Sequence, residues 1–193
     1  MSALILASTS VYRKSLIERL GIAVECIAPG VDEEAAKTAI ADPVRLATTL
    51  AQAKARAVAN RMPGRIVVAG DQLAAFRDRV LGKPGSTENA VEQLLAMSGD
   101  THELITAMTV IAPSGCTYDV LDISRLTMRP LGREQVERYV ERDAPLDCAG
   151  SYKLEEAGIA LFSAIESSDH TAITGLPMMA LVRILSELGV QVP

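Results

Sequence analysis

Aromatic rings are almost missing from this sequence. Four Tyr, two Phe and no Trp stand among 193 residues, so a core has to be built from Ala, Val, Ile, Leu and Met. Histidine is as scarce, with two, and the three cysteines, Cys26, Cys116 and Cys148, lie far apart. No cysteine pair has zinc-ligand spacing, and two histidines cannot complete a site with them. An odd, scattered set also excludes a disulfide framework; reduced cysteines packed as small apolar residues are expected. No apolar stretch approaches the roughly 20 residues that span a bilayer. The opening Met-Ser-Ala-Leu-Ile-Leu-Ala-Ser has no basic segment, so it is not expected to act as a signal peptide. These absences lead us to expect a cytoplasmic protein with no membrane partner.

Positive charge is also in deficit. Nineteen Lys and Arg face 24 Asp and Glu, a net charge of −5, and the isoelectric point is near 5.1. That balance argues against a nucleic-acid-coating protein. What is present, 49% hydrophobic and 22% charged residues, is the composition of an ordinary globular chain rather than a disordered one. Its length suits a single domain, residues 1–193, or two small lobes sharing a core.

The order of elements reads as alternating strands and helices. Ala3–Ala7 is a short buried strand, stopped by Ser8-Thr9-Ser10. A helix is predicted over 11–20, with Ser10 as N-cap and Gly21 as its stop. Val24–Ala28 is the next strand. Asp42-Pro43 opens a long helix that ends before Pro63-Gly64. Arg65–Ala69 is a strand leading into Gly70-Asp71-Gln72, with a short hairpin around Arg77-Asp78. A helix over 87–97 carries Ala90, Val91, Leu94 and Leu95 on one face. Segments 103–112 and 117–128 are β-strands joined at Pro113-Ser114-Gly115. A helix follows over 133–142. Residues 147–156 are irregular and polar, 158–165 form a strand, and a helix over 177–188 closes the chain. This mixture favours an α/β fold with a mixed sheet and a cleft between two lobes.

Several residues stand where chemistry could be done. Ser8, Thr9, Ser10 and Arg13 surround a helix start, which suits either an anion site or a plain N-cap with a surface arginine. Only five lysines occur. Lys54, near the apolar face of the long helix, reads by itself as a snorkelling surface lysine. Lys83, framed by Gly82 and Pro84, suits a close backbone approach or a simple turn. Asp71 follows an apolar strand, where open α/β sheets place their ligands. A carboxylate there can hold a metal or activate water, or simply serve a turn. Glu33 and Glu34 read as an acidic surface loop. Tyr12 and Tyr152 are either stacking surfaces for a base or half-buried rings. His102 and His170 are expected to be structural or on the surface. Phosphate-loop, dinucleotide-fingerprint and nucleophile-elbow patterns are all absent.

Taken together, seven separated motifs resemble the Maf family of nucleoside triphosphate pyrophosphatases. They are Leu-Ala-Ser-Thr-Ser-Val-Tyr-Arg (6–13), Val-Asp-Glu (31–33), Ala-Gln-Ala-Lys-Ala (51–55), Gly-Asp-Gln (70–72), Gly-Lys-Pro (82–84), Cys-Ala-Gly-Ser-Tyr-Lys-Leu-Glu (148–155) and Thr-Gly-Leu-Pro (174–177). Gln72 after Asp71, the aromatic Tyr12 and the 148–155 run resemble the 7-methyl-GTP branch. Gly70 stands where that branch often has Ser, and Tyr12 where Trp is common. The resemblance implies a two-lobed, strongly bent mixed β-sheet flanked by helices around a cleft, similar to inosine-triphosphate pyrophosphatases. It implies hydrolysis of a nucleoside triphosphate to monophosphate and pyrophosphate, a divalent cation (Mg²⁺ or Mn²⁺), and a homodimer. Ser8, Ser10, Arg13, Lys54 and Lys83 would grip the triphosphate. Glu33 and Asp71 would manage the metal, with Asp71 activating the water. Tyr12, Gln72 and Glu155 would face the base. Activity on dTTP and UTP, or a non-catalytic nucleotide-binding role in septum formation, are the alternatives it leaves.

Overall fold

The computed structural model describes residues 4–77 and 79–192. Its chain divides into two compact units: Met1–Asp71, Thr106–Asp122 and Asp169–Pro193 form the first, and Gln72–Ile105 and Ile123–Ser168 the second. Among the described residues seven strands, β1 (Leu4–Leu6), β2 (Val24–Cys26), β3 (Val67–Phe76), β4 (Arg79–Leu81), β5 (Thr101–Ile111), β6 (Thr117–Met128) and β7 (Phe162–Glu166), make one mixed sheet. Their order is β2-β1-β3-β5-β6-β7, with β4 on β3. Strand β1 is parallel to β2 and β3, whereas β4 and β7 pair antiparallel with β3 and β6. Among the described residues no helix is long and apolar enough to cross a membrane.

In the first unit, strand alternation sorts side chains onto two faces. Leu4, Leu6, Val68, Met108 and Val110 pack with Leu16 and Ile17 of helix α1 (Val11–Glu18). Leu181, Ile184 and Leu185 of the last helix, α7 (Met178–Glu187), join that core. Ile5, Ala7, Val67, Ala69 and Ile111 face Ala55 and Val58 of helix α3 (Pro43–Ala59). A short helix α2 (Glu33–Ala39) precedes α3, and a single turn α6 (His170–Ile173) precedes α7. Ser10, Asp32, Asp42 and Asp169 cap α1, α2, α3 and α6, each accepting a backbone N–H two or three residues on, the usual device for otherwise unpaired helix-start donors.

The second unit packs helix α4 (Thr87–Met97) against α5 (Arg133–Asp143). Ala90, Val91, Leu94 and Met97 are buried on α4, and Val136, Tyr139 and Val140 on α5. His102, Tyr152 and Phe162 form an aromatic cluster, with the Tyr152 and Phe162 ring centroids 4.9 Å apart. Its polar seal is a 2.8 Å hydrogen bond between His102 Nε2 and Tyr152 Oη.

Several expectations need correction. Glu33 and Glu34 are not in a loop: they open α2, where carboxylates suit the positive helix end. Gly70-Asp71-Gln72 does not follow a strand but lies inside β3, which continues to Phe76. Residues 157–161 form a 3₁₀ turn before the shorter β7. Tyr152 is 5% exposed, a core ring rather than a stacking surface. Cys26 and Cys116 are exposed rather than packed away; only Cys148 is partly buried, and burial pushes its thiol up to about 12. Around the hairpin expected at Arg77-Asp78, Phe76 of β3 pairs antiparallel with Arg79 of β4, while Ala3 and Asp78 themselves lie outside the described residues.

Candidate functional site

Seven of the residues singled out in the sequence belong to the first unit: Ser8, Ser10, Tyr12, Arg13, Glu33, Lys54 and Asp71. Their placement follows from periodicity. Val67, Ala69 and Asp71 alternate along β3, so the strand that packs two apolar side chains on α3 delivers a carboxylate next on the same face. On α3, Leu50, Ala51, Lys54, Ala55 and Val58 are buried, a helical spacing that brings Lys54 to that carboxylate.

Lys54 is therefore not on the surface. Its Nζ lies 2.6 Å from Asp71 Oδ1 and 2.7 Å from Glu33 Oε1. The lysine and aspartate side chains are 8% and 7% exposed, and Glu33 is 42% exposed. One ammonium thus bridges two carboxylates, which keeps a buried ion pair viable. Asp71 Oδ2 is buried and has no hydrogen-bond partner among the described residues. Burial holds the Asp71 carboxyl above its ordinary range, against the pull of Lys54 and Arg13, while Glu33 pushes the same way as burial.

The hydroxyl-rich loop closes around Arg13. Ser10 Oγ accepts the Arg13 backbone N–H at 3.4 Å, and Ser8 Oγ accepts the Ser10 N–H at 3.1 Å. The Arg13 guanidinium reaches back, with Nη1 3.4 Å from Ser8 Oγ and Nε donating to the Gly175 carbonyl at 3.0 Å. Burial disfavours its charge; Asp71 and Glu33 restore it in part. Tyr12 is half-buried beside it in the sequence.

Gln72, Lys83 and Glu155 belong to the second unit. Gln72 is half-buried on β3, directly after Asp71. Lys83 is exposed, in a loop tied to α4 by Asn89 Nδ2 on the Pro84 carbonyl at 3.0 Å. Glu155 is exposed in a turn. The Glu156 N–H caps that turn on the Lys153 carbonyl at 3.2 Å, and the Lys153 N–H donates to Tyr139 Oη at 2.8 Å.

Two further residues matter that residue-type reasoning passed over. Gly70 leaves room for its neighbours, since a Cβ there would lie 2.9 Å from Leu176 Cδ2, 3.2 Å from the Gly175 oxygen and 3.3 Å from Arg13 Nε. Asp169 is buried and satisfied on both oxygens, accepting from Thr171 Oγ1 and N–H on one and from the Met179 N–H on the other. For Gly70 the signal is the motif 70–72, which stands out as a pattern without assigning its glycine a role; Asp169 lies outside every motif, and no signal in the sequence marks it.

No group of three or more His, Cys, Asp or Glu able to hold a metal occurs among the described residues. The donor set nonetheless suits Mg²⁺ or Mn²⁺ in company with phosphates, because such ions take one or two carboxylates and leave their other positions to substrate oxygens and water. Asp71, with an unused buried oxygen, and Glu33 are the residues that could hold one.

Comparison with known proteins gives a consistent result. A protein of the bacterium Bdellovibrio bacteriovorus named 7-methyl-GTP pyrophosphatase is 47% identical over 188 residues, covering 94% of this chain and 95% of that one. A protein of the same name from Xanthomonas axonopodis pv. citri is 45% identical over 193 residues, covering both chains in full. The solved Staphylococcus aureus Ham1 protein shares the fold, with a TM-score of 0.56 at 15% identity, covering 96% of this chain and 99% of its own. The family model described as Maf-like protein matches residues 3–188, and with motifs, site cluster and relatives in agreement, the chain belongs to the Maf family.

Proposed function

We propose that this protein hydrolyses nucleoside triphosphates, 7-methyl-GTP foremost, to the nucleoside monophosphate and pyrophosphate. The observation that carries this reading is the buried Asp71–Lys54 pair, bridged to Glu33 at its rim, with its unused Asp71 oxygen, in the same unit as an arginine framed by serine hydroxyls at a helix start. The names of the full-length relatives point the same way.

In this reading Arg13, Ser8 and Ser10 hold phosphate oxygens through charge-assisted hydrogen bonds and the start of α1. Asp71 takes the proton of the water that attacks the α-phosphorus, and pyrophosphate leaves. A carboxyl held above its ordinary range by burial is a better base than an exposed aspartate. Lys54 fixes Asp71 and Glu33 and offsets part of their charge before substrate arrives, then adds to the phosphate grip. A divalent cation on Asp71 and Glu33 would neutralise charge on the polyphosphate.

Tyr12 offers a ring to a guanine made cationic by N7 methylation, a contact worth about 0.5–2 kcal/mol. For Lys83 in the phosphate grip, and for Gln72 and Glu155 in base choice, the support is the family's motif pattern. That pattern also supports a single functional domain over 1–193 and a homodimer, and three free cysteines agree with a cytoplasmic setting.

The test is a panel of canonical and methylated triphosphates with Mg²⁺ or Mn²⁺, followed by chromatography of the products. Pyrophosphate and monophosphate are expected, with 7-methyl-GTP preferred over GTP, dTTP and UTP. Orthophosphate without pyrophosphate contradicts attack at the α-phosphorus. Better turnover of dTTP or UTP moves the chain to the other branch and leaves the reaction standing.

A further inference from the structure

Arg13 is anchored by main chain 162 residues away in sequence, at the Gly175 carbonyl. Glycine wraps this contact on two sides. A Cβ on Gly175 would lie 3.2 Å from Arg13 Nε and 3.4 Å from its Cγ; one on Gly70 would meet Leu176 Cδ2 first, at 2.9 Å, then the Gly175 oxygen at 3.2 Å and Nε at 3.3 Å. Gly175 also has φ +120°, a conformation other residues rarely adopt. The link that carries it is pinned on both sides. Its own N–H donates to the Ala172 carbonyl at 2.9 Å. The Met178 N–H donates to Thr171 Oγ1 at 2.9 Å, and the Met179 N–H to buried Asp169 at 2.8 Å. The acceptor is therefore presented by a rigid frame.

A guanidinium can meet an oxyanion bidentately through an edge that includes Nε or through its Nη1–Nη2 end. Here the single Nε–H is already given to a carbonyl, which closes the first mode. We propose that Gly175 is a positioning residue: its carbonyl takes the Arg13 Nε–H, so that Arg13 meets a phosphate only through its Nη1–Nη2 end. This deepens the pyrophosphatase reading and rests on it. Nη1 differs from Nε in carrying a second N–H, so its 3.4 Å contact with Ser8 Oγ leaves it a donor for phosphate.

Nuclear magnetic resonance of the ¹⁵N-labelled full-length chain tests this, with inorganic pyrophosphate as the probe and Arg13→Lys to assign the Arg13 side-chain signals. The free protein should show a slowly exchanging Arg13 Nε–H that saturating pyrophosphate leaves in place, while the Nη signals move. An Nε–H that exchanges as fast as that of exposed Arg77, or that moves on pyrophosphate binding as far as the Nη signals, overturns the proposal. Wild-type protein that binds no pyrophosphate and splits no triphosphate overturns the functional reading and this one with it; binding with a displaced Nε–H overturns this one alone. In kinetics, Gly175→Ala should raise KM by about tenfold or more with a smaller change in kcat, the loss expected when a charged contact is misplaced. In an Arg13→Ala background it should add nothing; an additive penalty means that Gly175 does not act through Arg13. If Gly175→Ala fails to fold, the exchange and shift of the Arg13 Nε–H in the parent chain decide the proposal alone.

Discussion

The two units bury polar groups in opposite electrical states. In the first, Lys54 and Asp71 are a charged pair nearly withdrawn from solvent, with Glu33 at its rim and one carboxylate oxygen left unsatisfied. In the second, His102 is 1% exposed and burial lowers its pKa to about 4, so it sits neutral against Tyr152 with Nδ1 unpartnered among the described residues. A stable core alone has little reason to hold an uncompensated carboxylate oxygen, whereas a neutral imidazole closing an aromatic cluster is ordinary packing. The difference teaches what to look for in each: lost chemistry and charge-linked stability in the first unit, acid-sensitive stability in the second.

The strongest way to break that contrast is Asp71→Asn. Turnover should fall by about 10²–10⁴, the usual contribution of a positioned base. The sign for stability is the reverse of a normal salt-bridged aspartate. Because the folded carboxyl lies above its ordinary range, its stabilising contribution is present below the unfolded value and is lost as pH rises through the folded one. Near neutrality the charge is a net cost, so the Asn variant should melt no lower than the parent. For the same reason the acid limb of the parent's kcat/KM profile should lie above the ordinary carboxylate range and disappear in the variant. A folded variant that keeps a tenth of parental kcat moves the base role elsewhere, to Glu33 first.

Next in size is Lys54→Ala, which strands Asp71 without its cation. Urea unfolding should show a loss of about 3–5 kcal/mol, the typical cost of breaking a buried pair on one side, and Lys54→Ala combined with Asp71→Asn should regain most of it. Equal losses in the single and double variants would show that packing of the lysine stem, not charge, is what counts.

The second unit is probed by acid. His102 held neutral stabilises the fold fully above its unfolded value of 6.5, and that contribution is lost as pH falls from 6.5 to about 4. The loss amounts to about 3 kcal/mol. His102→Gln, which can keep a hydrogen bond to Tyr152, should flatten melting temperature over this pH range while leaving turnover at pH 7.5 within a few-fold of the parent. A pH-dependent loss that persists in the variant assigns it to another group.

The smallest expected effect is Lys83→Ala. An exposed lysine that grips phosphate loses about 1.5–3 kcal/mol of transition-state contact, roughly 10- to 150-fold in kcat/KM, with no change in melting temperature. Activity within twofold of the parent returns Lys83 to a plain turn.

How much of this was legible in advance depended on the range of the interactions. Caps are local, so Ser10 and Asp42 were readable as helix starts from their neighbours alone. The strand through Val67–Ala69 was equally plain, but its continuation past Gly70-Asp71 was not: a glycine and a charged residue look like an end until one knows that Lys54 waits across from the carboxylate. Lys54 itself read as surface because burial of a lysine depends on partners 17 and 21 residues away. Tyr152 lies in a polar stretch, and its packing on Phe162 and on His102, 50 residues away, is what makes it core. The candidate residues were found as types and motifs; their mutual geometry was not, because the contacts that define it are non-local.

The hydrogen bond from Arg13 to Gly175 also has a consequence for biosynthesis. Arg13, Glu33, Lys54 and Asp71 leave the ribosome early, yet the carbonyl that orients the first of them arrives 162 residues later, and residues 169–193 also complete the first unit. The chain passes between units after residues 71, 105, 122 and 168, so neither unit can finish as a continuous stretch of nascent chain. Long-range closures of this kind come late in folding. A polypeptide stalled or cut before Gly175 therefore carries nearly every side chain assigned to the nucleotide and still lacks an oriented arginine. A proteolytic fragment missing the last 25 residues, which also removes α7 from the first unit's core, should be inert.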